Sequence, residues 1–169
     1  MSKHSPLPPD RVRDIFLGFN DGLVELTGAT AGFFAAFNQS STIVTAASAV
    51  AVAGALSMAA GAYVAIGSQL EAQGLRKKTH LLTSSTVIGL FYLVGAAVPV
   101  LPVLLGARTL WTSVLAAGVG IVLVSAILSR LSGMRLRERV FKNLFILALT
   151  IAATYGIGLA ARSLFGVSV

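Results

Sequence analysis

No cysteine occurs in the 169-residue chain, which excludes disulfides, thiolate metal sites and cysteine nucleophiles. Charge is also scarce. Only 11% of the residues are Asp, Glu, Lys or Arg, against about 25% in an ordinary soluble domain. A water-soluble globule of this size would need polar groups that the chain does not have, and the mean hydropathy of +0.86 points the same way. This composition argues against an ordinary cytosolic enzyme and against disorder. Acidic residues are the rarest charged class, 6 against 13 Lys and Arg, for a net charge of +7. A pI near 10.6 would suit a nucleic-acid binder. The basic residues, however, stand in short clusters between long apolar runs, which is the layout of a multispan membrane protein. No Walker loop, GxSxG elbow, HExxH pair or EF-hand loop is present, and the reading is not an enzyme.

A helix needs about 20 residues to cross about 30 Å of hydrocarbon. Five segments meet that length: 15–37, 43–66, 81–105, 110–128 and 140–164. The linkers between them are short, so the chain divides into a polar tail (1–14), one five-helix transmembrane domain (15–165) and a C-terminal tail (166–169). The first stretch holds Pro6, Pro8 and Pro9 and no apolar core before Ile15, so it does not read as a signal peptide. Membrane strands would alternate polar and apolar residues, and these runs do not. The expected fold is therefore an all-α integral membrane protein.

Positive charge sets the expected orientation. Lys3, Arg11 and Arg13 precede the first span, and Arg76, Lys77 and Lys78 follow the second. Arg130, Arg135, Arg137, Arg139 and Lys142 lie between the fourth and the fifth. These make eleven of the thirteen basic residues on one side, with Arg108 and Arg162 alone on the other. That split places the N-terminus in the cytosol and the C-terminus outside. Arg76, Lys77 and Lys78, and Arg135, Arg137 and Arg139, also suit contact with anionic lipid. The membrane would be the cell membrane in a prokaryote and a vacuolar type in a eukaryote.

Small residues recur at four-residue spacing, as close helix packing in lipid requires. Gly18 and Gly22, then Gly28, Gly32 and Ala36, do so on the first span, and Ala47, Ala51, Ala55 and Ala59 on the second. Glycine and alanine are also simply common in membrane helices. Pro99 and Pro102 fall in the last third of the third span, where a kink is expected.

Acidic residues are informative because few exist. Asp10, Asp14 and Glu138 stand at the cytosolic edge among basic residues and read as ordinary edge charges. Asp21 and Glu25 lie inside the first span, about 9 and 15 Å from its start. Each would cost about 2.5–3.5 kcal/mol facing lipid. Their i, i+4 spacing puts both on one face, so that face should meet a polar path or a protein interface. A second reading of Asp21 is open, because Asn20-Asp21-Gly22 is also a cap or turn signature at the head of a shorter span. Capping does not reach Glu25. Met58, about 12 Å from the cytosolic end of the second span, lies near the depth of Asp21. A carboxylate and a thioether at matched depth suit a transition-metal ion, although a lone methionine more often simply packs. His4 and His80 lack ligand spacing and read as solvated.

Several stretches carry a resemblance. Arg13-Asp14-Ile15 through Asn20-Asp21-Gly22-Leu23-Val24-Glu25, then Gly28 and Ala31-Gly32, is similar to the first helix of the vacuolar iron transporter family. Gly54-Ala55-Leu56-Ser57-Met58-Ala59-Ala60-Gly61, with Tyr63 and Ser68-Gln69, resembles its second helix. Gly95-Ala96 with Pro99 and Pro102 resembles the third, and Thr154-Tyr155-Gly156-Ile157-Gly158 the fifth. The resemblance spans nearly the whole chain in order. It implies a homodimer that exports Fe²⁺ or Mn²⁺ from the cytosol in exchange for protons, with the ion as cargo and no resident cofactor. Carried over by position, Asp21 and Met58 match the intramembrane metal-path residues. Glu25 is a further candidate for metal binding and, with Asp21, for proton coupling.

Two departures from the family pattern qualify that expectation. Many members insert a cytosolic metal-binding domain, rich in Glu and Met, between the second and third helices. Here that linker is only residues 67–80, with Glu71 its one carboxylate. The family's "GEY" glutamate is Ala62, so the second span has no acid inside the membrane. The expected function is a divalent transition-metal/proton antiporter, with a non-transporting relative that has lost the site as the alternative.

Overall fold

The computed structural model describes residues 8–74, 78–132 and 136–166. Among them there is no strand, and five helices follow in chain order: α1 (Pro9–Ala36), α2 (Ser40–Ala72), α3 (Lys78–Leu104), α4 (Leu110–Ser132) and α5 (Leu136–Phe165). Lys3, His4, Arg76, Lys77 and Arg135 lie outside the described residues. Each expected span lies within or nearly coincides with a helix. The helices run further at the ends that carry the basic clusters, where polar residues continue the helical pattern past the apolar run. The largest extension is in α2, whose 33 residues make a rod of about 50 Å.

Four of the helices, α2 to α5, are long and apolar enough to cross a membrane. The protein is a multi-pass membrane protein. The remaining helix, α1, is long enough at 28 residues, but polar residues such as Asn20, Asp21 and Glu25 dilute its apolar run. Its position compensates for that polarity: α1 packs against all four other helices, most extensively α3 and next α5. A helix largely covered by protein can carry groups that lipid would reject, although Asp21 and Glu25 themselves are exposed in the single chain.

Glycine makes this central placement possible. A Cβ on Gly18 would strike the Ile88 carbonyl, one on Gly22 the Tyr92 carbonyl, and one on Gly95 the Phe19 carbonyl. The α1 and α3 backbones therefore touch, with glycine on both sides of the seam. Further along α1, Gly28 faces the Thr150 and Thr154 side chains, and Gly32 faces the backbone at Thr154. The glycine stripe of the first span is thus consumed inside the subunit, against α3 and α5. Gly32 alone of these glycines stays half-buried.

Four further features bear on the sequence expectation. α1 is continuous from Pro9 to Ala36, so Asp21 lies in mid-helix and caps nothing. Asp14 is fully buried, its Oδ1 held by the Arg13 guanidinium at 3.0 Å and its Oδ2 without a hydrogen-bond partner. It is therefore not an ordinary edge charge. The helix α3 continues through Pro99 and Pro102. His80 is exposed, as expected, with Nε2 4.0 Å from Asp10 Oδ2.

Candidate functional site

α1 and α2 do not close on each other along their whole length. Between them lies a groove of about 620 Å³. α1 contributes Leu17, Asp21 and Glu25, one residue per helical turn along a single face. α2 contributes Ser57, Met58 and Ala62 to the opposite wall. All three site residues expected from the sequence, Asp21, Glu25 and Met58, therefore line one groove, and so does Ala62. Asp21 and Glu25 are near enough to interact electrostatically. Both are exposed to the groove in the single chain, whereas Met58 is half-buried.

The two readings of Met58 turn out to be compatible. Its side chain packs against the apolar cluster of Leu26, Ala47, Ala55, Tyr92, Ala96 and Val100. It also forms part of the groove wall. A flexible thioether can do both, filling a gap on one side while presenting polarisable sulfur on the other.

Tyr92 is the residue that sequence reasoning passed over. It comes from α3, which lines none of the groove, and it is fully buried. Its hydroxyl reaches through to Gly54 of α2, where a Cβ would occupy the same space. Gly54 is itself part of the groove wall. The hydroxyl makes no hydrogen bond of good geometry, and Glu25 and Asp21 both act on it electrostatically. A phenol in an apolar run was the available signal, because a buried tyrosine hydroxyl needs a partner. Its position behind Gly54 depends on how α2 and α3 cross.

Chemically, one chain offers two carboxylates, one thioether and the Ser57 hydroxyl in this groove. Hard and soft donors together suit a divalent first-row metal better than Ca²⁺ or Mg²⁺, which take oxygen alone. Among the described residues, no three His, Asp or Glu side chains gather anywhere at metal-binding distance. A single chain thus supplies fewer strong ligands than the four to six such an ion takes.

No curated protein sequence matches the chain. A family model does: the one described as the VIT family matches residues 12–80 and 71–159. The two stretches together cover all but the ends and overlap at the α2–α3 linker, where the resemblance places the inserted domain of longer members. The match takes in Asp21, Glu25, Met58 and Ala62, and by its extent the chain belongs to the VIT family.

Proposed function

We propose that the protein exchanges Fe²⁺ or Mn²⁺ for protons across its membrane, with the α1–α2 groove as the ion path. Membership of the VIT family supports metal-ion transport as the class of function. The observation that carries the finer reading is the convergence of Asp21, Glu25 and Met58 on one groove. In this reading Asp21 and Met58 hold the ion, and Glu25, one turn further along α1, takes up and releases protons as the ion leaves and enters. An ion that sheds water needs the carboxylate charge in its place.

The working unit in this proposal is a homodimer. The groove is open, and two carboxylates exposed at membrane depth need covering. The α2 face beside them is a stripe of small exposed residues, Ala49, Ala53, Ser57, Gly61 and Ala65, which suits close approach of a second helix. A second copy packed there would cover the carboxylates and double the ligand set. All five helices cross the membrane in this reading, with the N-terminus cytosolic and the C-terminus outside. Export from the cytosol follows from the family resemblance. Cysteines placed at positions 40 and 108 should react with an impermeant reagent applied outside, and those at 77 and 135 should not.

One observation favours a second reading. Ala62 lines the groove where the family pattern has glutamate. A relative that kept the fold and lost transport would look like this. Proteoliposomes separate the two. The antiporter gives metal-dependent proton flux that Asp21→Asn and Met58→Ala each reduce at least about tenfold, or about 1.4 kcal/mol. For Asp21→Asn thermal stability should stay level or rise, because removing an unpaired carboxylate from a membrane interior costs no stability. Met58→Ala should also lower stability, since Met58 packs on the Leu26–Tyr92 cluster. Absence of flux in the wild type would favour the non-transporting relative.

A further inference from the structure

A second groove lies between α4 and α5, on the part of the molecule that the ion path does not use. Its volume is about 590 Å³, and its walls are apolar throughout. Leu115, Val119 and Leu123 line it from α4, and Leu144, Ala148 and Ile151 from α5. From Val114 to Leu123 it runs about 14 Å along the α4 axis. Gly118 forms part of its floor, where a Cβ would meet nothing within 4 Å.

Both helices carry an arginine beyond the same end of this groove. Arg130 stands seven residues after Leu123, and Arg137 seven residues before Leu144. Seven residues return to nearly the same helix face, about 10 Å along the axis. Both arginines are exposed. From Arg130 to Val114 the axial distance is about 24 Å, close to half of the roughly 40–45 Å of a bilayer with its headgroups.

We propose that this groove and the two arginines form a binding site for one anionic phospholipid, with an acyl chain along the groove and the phosphate between Arg130 and Arg137. The guanidinium fork matches phosphate oxygens in pairs. Arg139 and Lys142 add positive charge nearby, and Glu138 is the one carboxylate in α5. An anionic headgroup is therefore favoured over a zwitterionic one, whose ammonium would be repelled. Charge also argues against a second copy as the occupant. Such a copy would need an acidic side chain to offer the arginines. Of the six carboxylates, Asp14 is held by Arg13, Asp10 lies beside His80, Asp21 and Glu25 line the other groove, and Glu138 follows Arg137 in α5 itself, which leaves a second copy only Glu71 to set against two arginines.

The test is lipid titration of the purified protein in detergent, read by native mass spectrometry, with phosphatidylglycerol and phosphatidylcholine of matched chains. Phosphatidylglycerol should bind at least about tenfold tighter. Arg130→Gln with Arg137→Gln should remove that preference. Gly118→Leu should weaken both lipids, and Gly156→Leu, on open surface away from the groove, should weaken neither. If Gly118→Leu melts early, Val122→Trp serves in its place, since Val122 is an exposed side chain of the same groove. Inorganic phosphate should not displace the lipid. Equal binding of the two lipids, or displacement by phosphate alone, would overturn the proposal. So would a shift from dimer to monomer on filling the groove, which would give the groove to a second copy. Lipid binding is read without transport, so this result does not depend on the function proposed above.

Discussion

Helix α1 meets α3 and α2 in opposite ways. Toward α3 it presents Gly18 and Gly22, and Gly95 answers from the other side, so the two backbones touch with no space between them. Toward α2 it presents Leu17, Asp21 and Glu25, and a groove of about 620 Å³ separates the walls. One helix thus serves as a structural post on one face and as a candidate ion path on the other. Polar groups can stay in a membrane interior when the same helix is anchored elsewhere by close packing. The tight seam supplies dispersion contacts that polar side chains would not. The open groove keeps carboxylates available that a tight seam would have to neutralise.

The largest expected effect breaks the tight side. Gly22→Leu or Gly95→Ala forces a side chain into a facing backbone carbonyl and should lower stability by about 1–3 kcal/mol or prevent folding. Gly61→Ala, on the groove wall with open space around it, should leave the melting temperature unchanged. If the two classes melt alike, the contrast between seam and groove is wrong.

Next comes a gain on the open side. Ala62→Glu adds a carboxylate one helical turn from Met58 on the same groove wall. Mn²⁺ or Fe²⁺ binding, measured by calorimetry, should tighten at least about tenfold, or about 1.4 kcal/mol. Equal affinities would remove position 62 from the site and move the weight to Glu25.

Crosslinking distinguishes the two faces by location. The glycine stripe of α1 invites a dimer contact at Gly28 or Gly32 when the sequence alone is considered. Both positions face Thr154 of the same chain, so cysteines there should crosslink poorly between subunits. Cysteines at Ala53 or Ala65, on the exposed face of α2, should trap a dimer. Efficient trapping at Gly28 would place α1 at the subunit boundary instead.

The smallest effect is expected where the two sides meet. Tyr92 spans from the α1–α3 seam to the groove wall at Gly54, with a buried hydroxyl that lacks a well-formed hydrogen bond. Tyr92→Phe should change stability by no more than about 1 kcal/mol, since no net hydrogen bond is lost. A loss of several kcal/mol in thermal or denaturant melts would mean that the hydroxyl is firmly held, with Glu25 as the acceptor to test first.

Helix number, helix type and the residues of the candidate site were legible in the sequence because each depends on local pattern. Apolar runs of the right length specify helices in lipid, and i, i+4 spacing puts Asp21 and Glu25 on one face whatever surrounds them. Asp14 was misread for the opposite reason. Sequence gives its depth along the helix but not which neighbours close over it, and the structure buries it completely. Tyr92 was missed on the same ground, since its position behind Gly54 depends on where α2 and α3 cross.

By itself, then, the sequence determined an all-helical membrane protein and a face of α1 carrying two carboxylates, along with a methionine at similar depth on α2. Composition, run length and helical period are enough for those. Only the tertiary structure decided that α1 is the helix touching all the others and that its glycines are used up within the subunit. It alone opened a groove where Asp21, Glu25, Met58 and Ala62 meet. The physical reason is that a helix's faces are set by its own sequence, but which face meets which neighbour, and how closely, depends on the packing of all five helices at once.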